Sequence, residues 1–270
     1  MKIIRNIKNL KESIMNIPNL GFVPTMGGLH KGHLKLIKKS INKSQKTLIS
    51  IYVNPTQFGN KNDFLKYPRN TKKDLQILKR QKVDFVFLPR TEEIYKRKKR
   101  KNIIIHGKKN VLCGKFRKGH FEGVIDVIDR FLSLINPKYI FLGEKDFQQL
   151  FLIKNYVKNK FNVKVISCKT VRDKNYVALS SRNFLLTKEN LSIAGKIARK
   201  LKSFKDKIKK NYKFKKEINY YKNYITKKYS VKIDYLEIRN EKDLSTFKKR
   251  KKFRLFVAYN LGRVRLIDNH

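Results

Sequence analysis

Short apolar runs separated by amphipathic stretches recur through the first two thirds of the chain. LGFVP (20–24), LISIYV (48–53), DFVFLP (84–89), YIFLG (139–143) and VKVIS (163–167) are short, mainly apolar runs without strict alternation, as strands buried on both faces are. Between them, HLKLIKKSINK (33–43), TKKDLQILKRQ (71–81), VIDVIDRFLSLI (124–135) and DFQQLFLIKNYVK (146–158) place apolar residues three and four apart, the spacing of one helix face. Buried strands alternating with helices predict an α/β fold: a Rossmann-like, doubly wound parallel sheet of about five strands.

From about Val171 the pattern changes. Lysine-rich helical sequence over 188–229 gives way to KIDYLEIRN (232–240) and RLFVAYNLGRVRLIDN (254–269), which read as paired short strands. The chain therefore divides into a larger domain over 1–172 and a smaller α+β domain over 173–270.

The charge invites a nucleic-acid reading, since 67 Lys+Arg against 20 Asp+Glu leave +47. Such binding needs a focused patch, whereas the excess here is mostly lysine and is spread along the chain. Its densest runs are YKRKKRKN (95–102), FKDKIKKNYKFKK (204–216) and FKKRKKFR (247–254), with Tyr212, Phe214 and Phe253 as a thin supply of rings for stacking bases. Abundant lysine, isoleucine and asparagine, scarce alanine and no tryptophan are what an A+T-rich coding bias produces without selection for binding. No specific nucleic-acid partner is expected. The two cysteines, Cys113 and Cys168, lack metal-ligand spacing, and neither a signal-peptide centre nor a bilayer-spanning run is visible, so a cytoplasmic protein without membrane contact is expected.

In open parallel sheets, ligands bind beyond the carboxyl ends of the strands. Four unusual polar clusters fall there: TMGGLHKGH (25–33), NPTQF (54–58), GEKD (143–146) and KTVRDKNYVALSSRN (169–183). Gly27 and Gly28 would let the backbone approach a ligand, and the start of the next helix would offer unpaired N–H groups to a phosphate. His30 and His33 could donate hydrogen bonds to charge developing on that phosphate, Lys145 could neutralise it, and Ser180, Ser181 and Arg182 could hold further phosphates. No P-loop or dinucleotide glycine pattern is present, so this would be another grip on a nucleoside triphosphate. Three of the clusters also have an ordinary reading: HKGH as a helix start, NPTQF as a turn, GEKD as a cap with Asp146 at the N-cap. His106 has no such context and reads as structural or exposed.

With these residues assembled, the chain resembles the pantothenate synthetase (pantoate–beta-alanine ligase) family of the HxGH nucleotidyltransferase superfamily. PTMGGLHKGH, VNPTQF, YPR (67–69), LCGKFRKGHFEGV (112–124), FLGEKDFQQL (141–150), LSSRN (179–183) and RLIDN (265–269) carry the resemblance over nearly the whole chain. It implies ATP-dependent joining of pantoate and beta-alanine through a pantoyl adenylate with Mg2+, in a homodimer, the second domain closing over the ATP site. On this chain it would give ATP to Met26, Gly27, Gly28, Leu29, His30, Lys31, Gly32 and His33, with His33 as proton donor. Gly143, Glu144, Lys145, Asp146, Val171, Leu179, Ser180, Ser181 and Arg182 would complete the nucleotide grip, with His30, His33 and Lys145 catalytic. Gln57 and Gln149 would bind the acid, because neutral amides hold a carboxylate without blunting its attack. The resemblance names no Mg2+ ligands. The rival readings are another HxGH-type adenylyltransferase, which Gln57 and Gln149 oppose, and a basic nucleic-acid-binding module on a nucleotide-binding scaffold, which the thin supply of rings opposes. The chain departs from the family at Lys118, where proline is usual, and at Asn175-Tyr176, where Asp-Gly is usual.

Overall fold

The computed structural model describes residues 1–95, 103–210, 215–247 and 252–270. Most of the basic run after Tyr95, together with Tyr212 and Phe214, lies outside the described residues. Six parallel strands form the larger sheet: β1 (Lys2–Ile4), β2 (Leu20–Thr25), β3 (Lys46–Ile51), β4 (Phe85–Phe87), β5 (Tyr139–Gly143) and β6 (Lys164–Cys168). Their order is β1-β4-β3-β2-β5-β6. The expected five strands become six because β1 is only three residues long and lies at the sheet edge, with Ile4 buried and Ile3 exposed.

The helices of this domain are α1 (Ile7–Ile14), α2 (Lys31–Lys43), α3 (Lys61–Leu65), α4 (Thr71–Arg80), α5 (Thr91–Tyr95), α6 (Cys113–Phe116), α7 (His120–Ile135) and α8 (Phe147–Lys158). Alternate strand residues face alternate layers. Phe22, Leu48, Phe87 and Ile140 pack with Phe131 of α7 and Leu152 of α8. Their neighbours Val23, Ile49, Val86 and Phe141 pack with Ile37 of α2 and Leu78 of α4. The central strands β2, β3 and β5 are buried on both faces over most of their length, which is why they read as apolar runs, while the edge strands β1 and β6 are partly exposed. Truncating one of these fully buried aliphatics to alanine costs about 2–5 kcal/mol.

α7 begins at His120, four residues before its expected start at Val124, and so takes in Gly123. A Cβ on Gly123 would lie 2.3 Å from the Thr56 carbonyl oxygen, so glycine lets the Pro55–Gln57 turn lie directly on this helix. Asn54 Nδ2 fastens the contact by donating to the Gly123 carbonyl at 3.0 Å.

The smaller unit carries α9 (Lys188–Lys210), α10 (Lys215–Tyr229) and an antiparallel sheet of β7 (Lys232–Asn240), β8 (Phe253–Leu261) and β9 (Val264–Asn269). Along β8, Leu255, Val257 and Tyr259 pack with Ile197 and Phe204 of α9. Phe256 and Ala258 alternate with them and join the core of the larger domain. The expected division after Arg172 falls in the connecting segment, where Arg172 and Ala178 form an isolated bridge. No helix among the described residues is long and apolar enough to cross a membrane.

After β2 the chain adds β3 and β4 on one side, and β5 and β6 on the other. The winding reverses between β2 and β5, and a crevice opens beyond their carboxyl ends.

Candidate functional site

A cavity of about 1330 Å³ occupies that crevice. This exceeds the roughly 300–1,000 Å³ common for a single small ligand, leaving room for more than one substrate. Met26, His30, Gly32 and His33 line it from the turn after β2. Gly143, Lys145 and Asp146 line it from the turn after β5, while Val171, Leu179, Ser180, Ser181 and Arg182 do so after β6. Gln57 and Gln149 also reach it, and Asp268 and Asn269 of β9 contribute from the smaller domain.

Five residues expected to touch ATP do not line the cavity: Gly27, Gly28, Leu29, Lys31 and Glu144. The glycines do adopt the left-handed conformation that favours glycine, at φ 77° and 61°. Their turn is nevertheless committed to the protein. The N–H groups of Gly28 and Leu29 donate to Asp74 Oδ2 and Oδ1 at 2.9 and 2.8 Å, and Ser181 Oγ donates to the Gly28 carbonyl at 2.9 Å. A buried carboxylate from α4 thus takes the N–H groups of the turn where the glycines were expected to let the backbone approach a ligand. Leu29 is core and Lys31 is exposed. Nothing in TKKDLQ marks Asp74, since an acidic residue near a helix start is common.

The two histidines form a capping box at the start of α2. Gly32 N–H donates to His30 Nδ1 at 3.1 Å, and His30 N–H donates to His33 Nδ1 at 3.3 Å. The helix-start reading therefore holds, and it has a chemical consequence. With Nδ1 accepting, each neutral ring must carry its proton on Nε2, leaving an N–H donor. Burial, then the charge of Lys145, lowers the His30 pKa to about 4. Burial, then His30 beside it, lowers that of His33 to about 3. The centroids of the two rings are 4.1 Å apart.

Lys145 Nζ meets Asp146 Oδ1 at 3.1 Å. Burial alone would raise the Asp146 pKa, but Lys145 and Arg182 hold it below the usual carboxylate value. Asp146 occupies the N-cap position of α8 without a side-chain cap bond, so the expected cap is replaced by this ion pair. Glu144 turns away to Arg254 of β8, Oε2 to Nη2 at 3.1 Å.

The glutamines separate by what already holds them. Gln148 is consumed by the backbone: its amide donates to the carbonyls of Lys108 and Val111 at 3.0 and 2.7 Å and accepts from Cys113 N–H at 3.0 Å. The Gln149 side chain has no hydrogen-bond partner among the described residues and lines the cavity. Gln57 is buried, with its amide on Met26 Sδ.

Three further residues complete this wall and were not singled out from the sequence. His120 Nδ1 donates to the Gln57 carbonyl at 2.7 Å, and its Nε2 accepts from Arg117 Nη1 at 3.2 Å. Burial, then Arg117, lowers the His120 pKa to about 3. Asp63 of α3 bridges Arg182 at 3.0 Å and Arg117 at 3.5 Å. Arg117 and His120 could have been found through the second Gly-His pair, in RKGH; Asp63 carries no signal. His106 is exposed and outside the cavity, and Lys118 is exposed at the rim. Tyr176 takes φ 73°, which explains why glycine is usual at this position.

The sequence profile described as Pantoate-beta-alanine ligase matches residues 2–270. A pantothenate synthetase from Endomicrobium trichonymphae is 39% identical over 279 residues, covering 100% of this chain and 97% of the relative. That of Flavobacterium psychrophilum is 38% identical over 271 residues, covering 96% and 94%. Among solved structures, pantothenate synthetase from Thermus thermophilus superposes with a TM-score of 0.92 at 31% identity, covering 100% of this chain and 99% of its own. The pantoate-beta-alanine ligase of Francisella tularensis, described in complex with beta-gamma ATP and beta-alanine, gives 0.82 at 37% identity, covering 100% and 97%. Profile, relatives and structures agree over the full length with the motifs at the sheet's carboxyl edge, and the chain belongs to the pantoate–beta-alanine ligase family.

Proposed function

We propose that this cavity joins pantoate to beta-alanine at the expense of ATP, with pantoyl adenylate held between two half-reactions. A carboxylate oxygen of pantoate attacks the α-phosphorus and pyrophosphate leaves. The amine of beta-alanine then attacks the acyl carbon, AMP leaves with the carboxyl oxygen, and the nitrogen gives up a proton.

The observation that carries this reading is the meeting, at the reversal between β2 and β5, of two neutral imidazoles and an ammonium with an unengaged amide. His30 and His33, fixed as Nε2–H donors, suit negative charge that grows on phosphate oxygens in the transition state. A ring that takes a second proton only near pH 3 is neutral at pH 7, so His33 enters as an Nε2–H hydrogen-bond donor. Lys145 supplies the positive charge, Ser180 and Arg182 hold the remaining phosphates, and Gln149 and Gln57 orient the acid. Cys113 is engaged with the Tyr235 hydroxyl at 3.1 Å, and among the described residues no serine–histidine pair is hydrogen-bonded as a covalent nucleophile, which favours an adenylate that is bound but not attached to the protein. Holding it under the smaller domain, with 1–172 binding nucleotide and pantoate and 173–270 closing above, would keep water from a reactive anhydride.

Mg2+ belongs with the nucleotide. No three His, Cys, Asp or Glu side chains gather as a metal site among the described residues. Asp146 beside Lys145 fits a hard cation that keeps water and phosphate oxygens as most of its ligands. Such an ion would neutralise triphosphate charge and ease departure of pyrophosphate. A homodimer is part of the proposal on the family resemblance, and sedimentation tests it. A reducing, cytoplasmic setting agrees with two free, buried cysteines.

The test is isotope exchange. Labelled pyrophosphate should enter ATP when pantoate is present and beta-alanine absent. Exchange that proceeds without pantoate, or that requires beta-alanine, would sink the adenylate-first order.

A further inference from the structure

We propose that Asn269, at the end of β9, is a positioning residue for Lys145; this rests on the role given to Lys145 above. Lys145 stands in a single 3-10 turn, Glu144–Asp146, between β5 and α8. A turn that short makes few hydrogen bonds of its own, so its placement is set from outside. Asn269 Nδ2 sets it, donating to the carbonyls of Glu144 and Lys145 at 2.9 and 2.8 Å.

Every other polar group of the buried Asn269 is engaged. Oδ1 accepts from Arg254 Nη1 at 2.8 Å, its N–H donates to Asp268 Oδ1 at 2.7 Å, and its carbonyl accepts from Arg172 Nη2 at 3.1 Å. Arg254 grips the same turn a second time through Glu144 Oε2 at 3.1 Å, while Glu241 Oε1 holds the guanidinium at 2.8 Å. Two donations to consecutive carbonyls fix how the turn is rolled, and with it the direction in which the Lys145 side chain leaves the backbone. Asp146 holds the far end of that side chain. The smaller domain thereby aims a cation that belongs to the larger one. Misplacement of a reacting group by about 1 Å can cost on the order of a hundredfold in rate.

A double-mutant cycle separates aiming from gluing. Asn269→Ala, Lys145→Met and the double variant would be compared for kcat in pyrophosphate exchange and for Tm. Asn269→Ala should lower kcat on the order of ten- to a hundredfold in the chain that retains Lys145. In the Lys145→Met background it should lower kcat less than about twofold, because no ammonium is left to aim. Additive losses, or a fall in Tm without a fall in kcat, would overturn the proposal. Full turnover in Lys145→Met alone would overturn the prior reading of the lysine, an outcome visible separately. Should Asn269→Ala fail to fold, Arg254→Met carries the same cycle under the same criterion.

Discussion

Lowering the pH from 7 to 5 should remove a large part of this protein's stability, and the reason lies in three histidines. His30, His33 and His120 have pKa values lowered from 6.5 to about 4, 3 and 3, each mainly by burial. Their folded values are depressed, so below pH 6.5 the unfolded chain takes up protons that the native state refuses. The stability they contribute is fully present above 6.5 and lost below it. At pH 5 the loss is about 2 kcal/mol per histidine, or about 6 kcal/mol for the three, at roughly 1.4 kcal/mol per pH unit. Against a usual total of roughly 5–15 kcal/mol this brings the protein near its midpoint. Asp146 and Asp268 do not contribute in this window: despite burial they are held below 3.8, by Lys145 and by His270 with Arg172 respectively, and act only at lower pH. Urea denaturation at pH 7, 6 and 5 measures the slope, and His120→Asn should remove about a third of it. A stability flat between pH 7 and 5, or an unchanged slope in that variant, would refute the buried-neutral assignment.

His33→Ala should cut turnover on the order of a hundredfold or more while ATP binding changes little, as measured by steady-state kinetics and nucleotide titration; near-normal turnover would reduce the ring to a helix cap. Gln149→Ala and Gln57→Ala should raise the KM for pantoate and spare that for ATP, whereas Gln148→Ala should lower Tm, because it strands the backbone groups of the 108–113 segment. Asp74→Ala should cost about 2–4 kcal/mol by stranding two buried N–H groups, with added sulfate recovering part of the loss; an unchanged Tm would count against the carboxylate's role in the turn. Binding to duplex DNA should be weak, independent of sequence and steeply reduced by salt, and tight sequence-selective binding at physiological salt would contradict the reading of the +47 charge.

The sheet, and the polar edge that lines the cavity, were legible in the sequence alone. Runs such as LGFVP and YIFLG announce strands dry on both faces, and polar clusters at their carboxyl ends mark the ligand side, because periodicity and burial are local properties. His30, His33, Lys145 and Gln149 were legible for that reason: each stands one turn beyond an apolar strand or inside a distinctive motif. The edge strand β1 was not, since three residues are too few to show a period. Nor could the sequence say that Asp74 fills the glycine turn, that Gln148 is spent on backbone while Gln149 is not, or that Asn269 holds Lys145. Those pairs are separated by 46, 35 and 124 positions for the contacts that define them, and only the folded chain brings them within hydrogen-bond distance. A residue type states which bonds a side chain can make; which of them are already taken, and so which remain for a substrate, depends on neighbours that tertiary structure alone supplies.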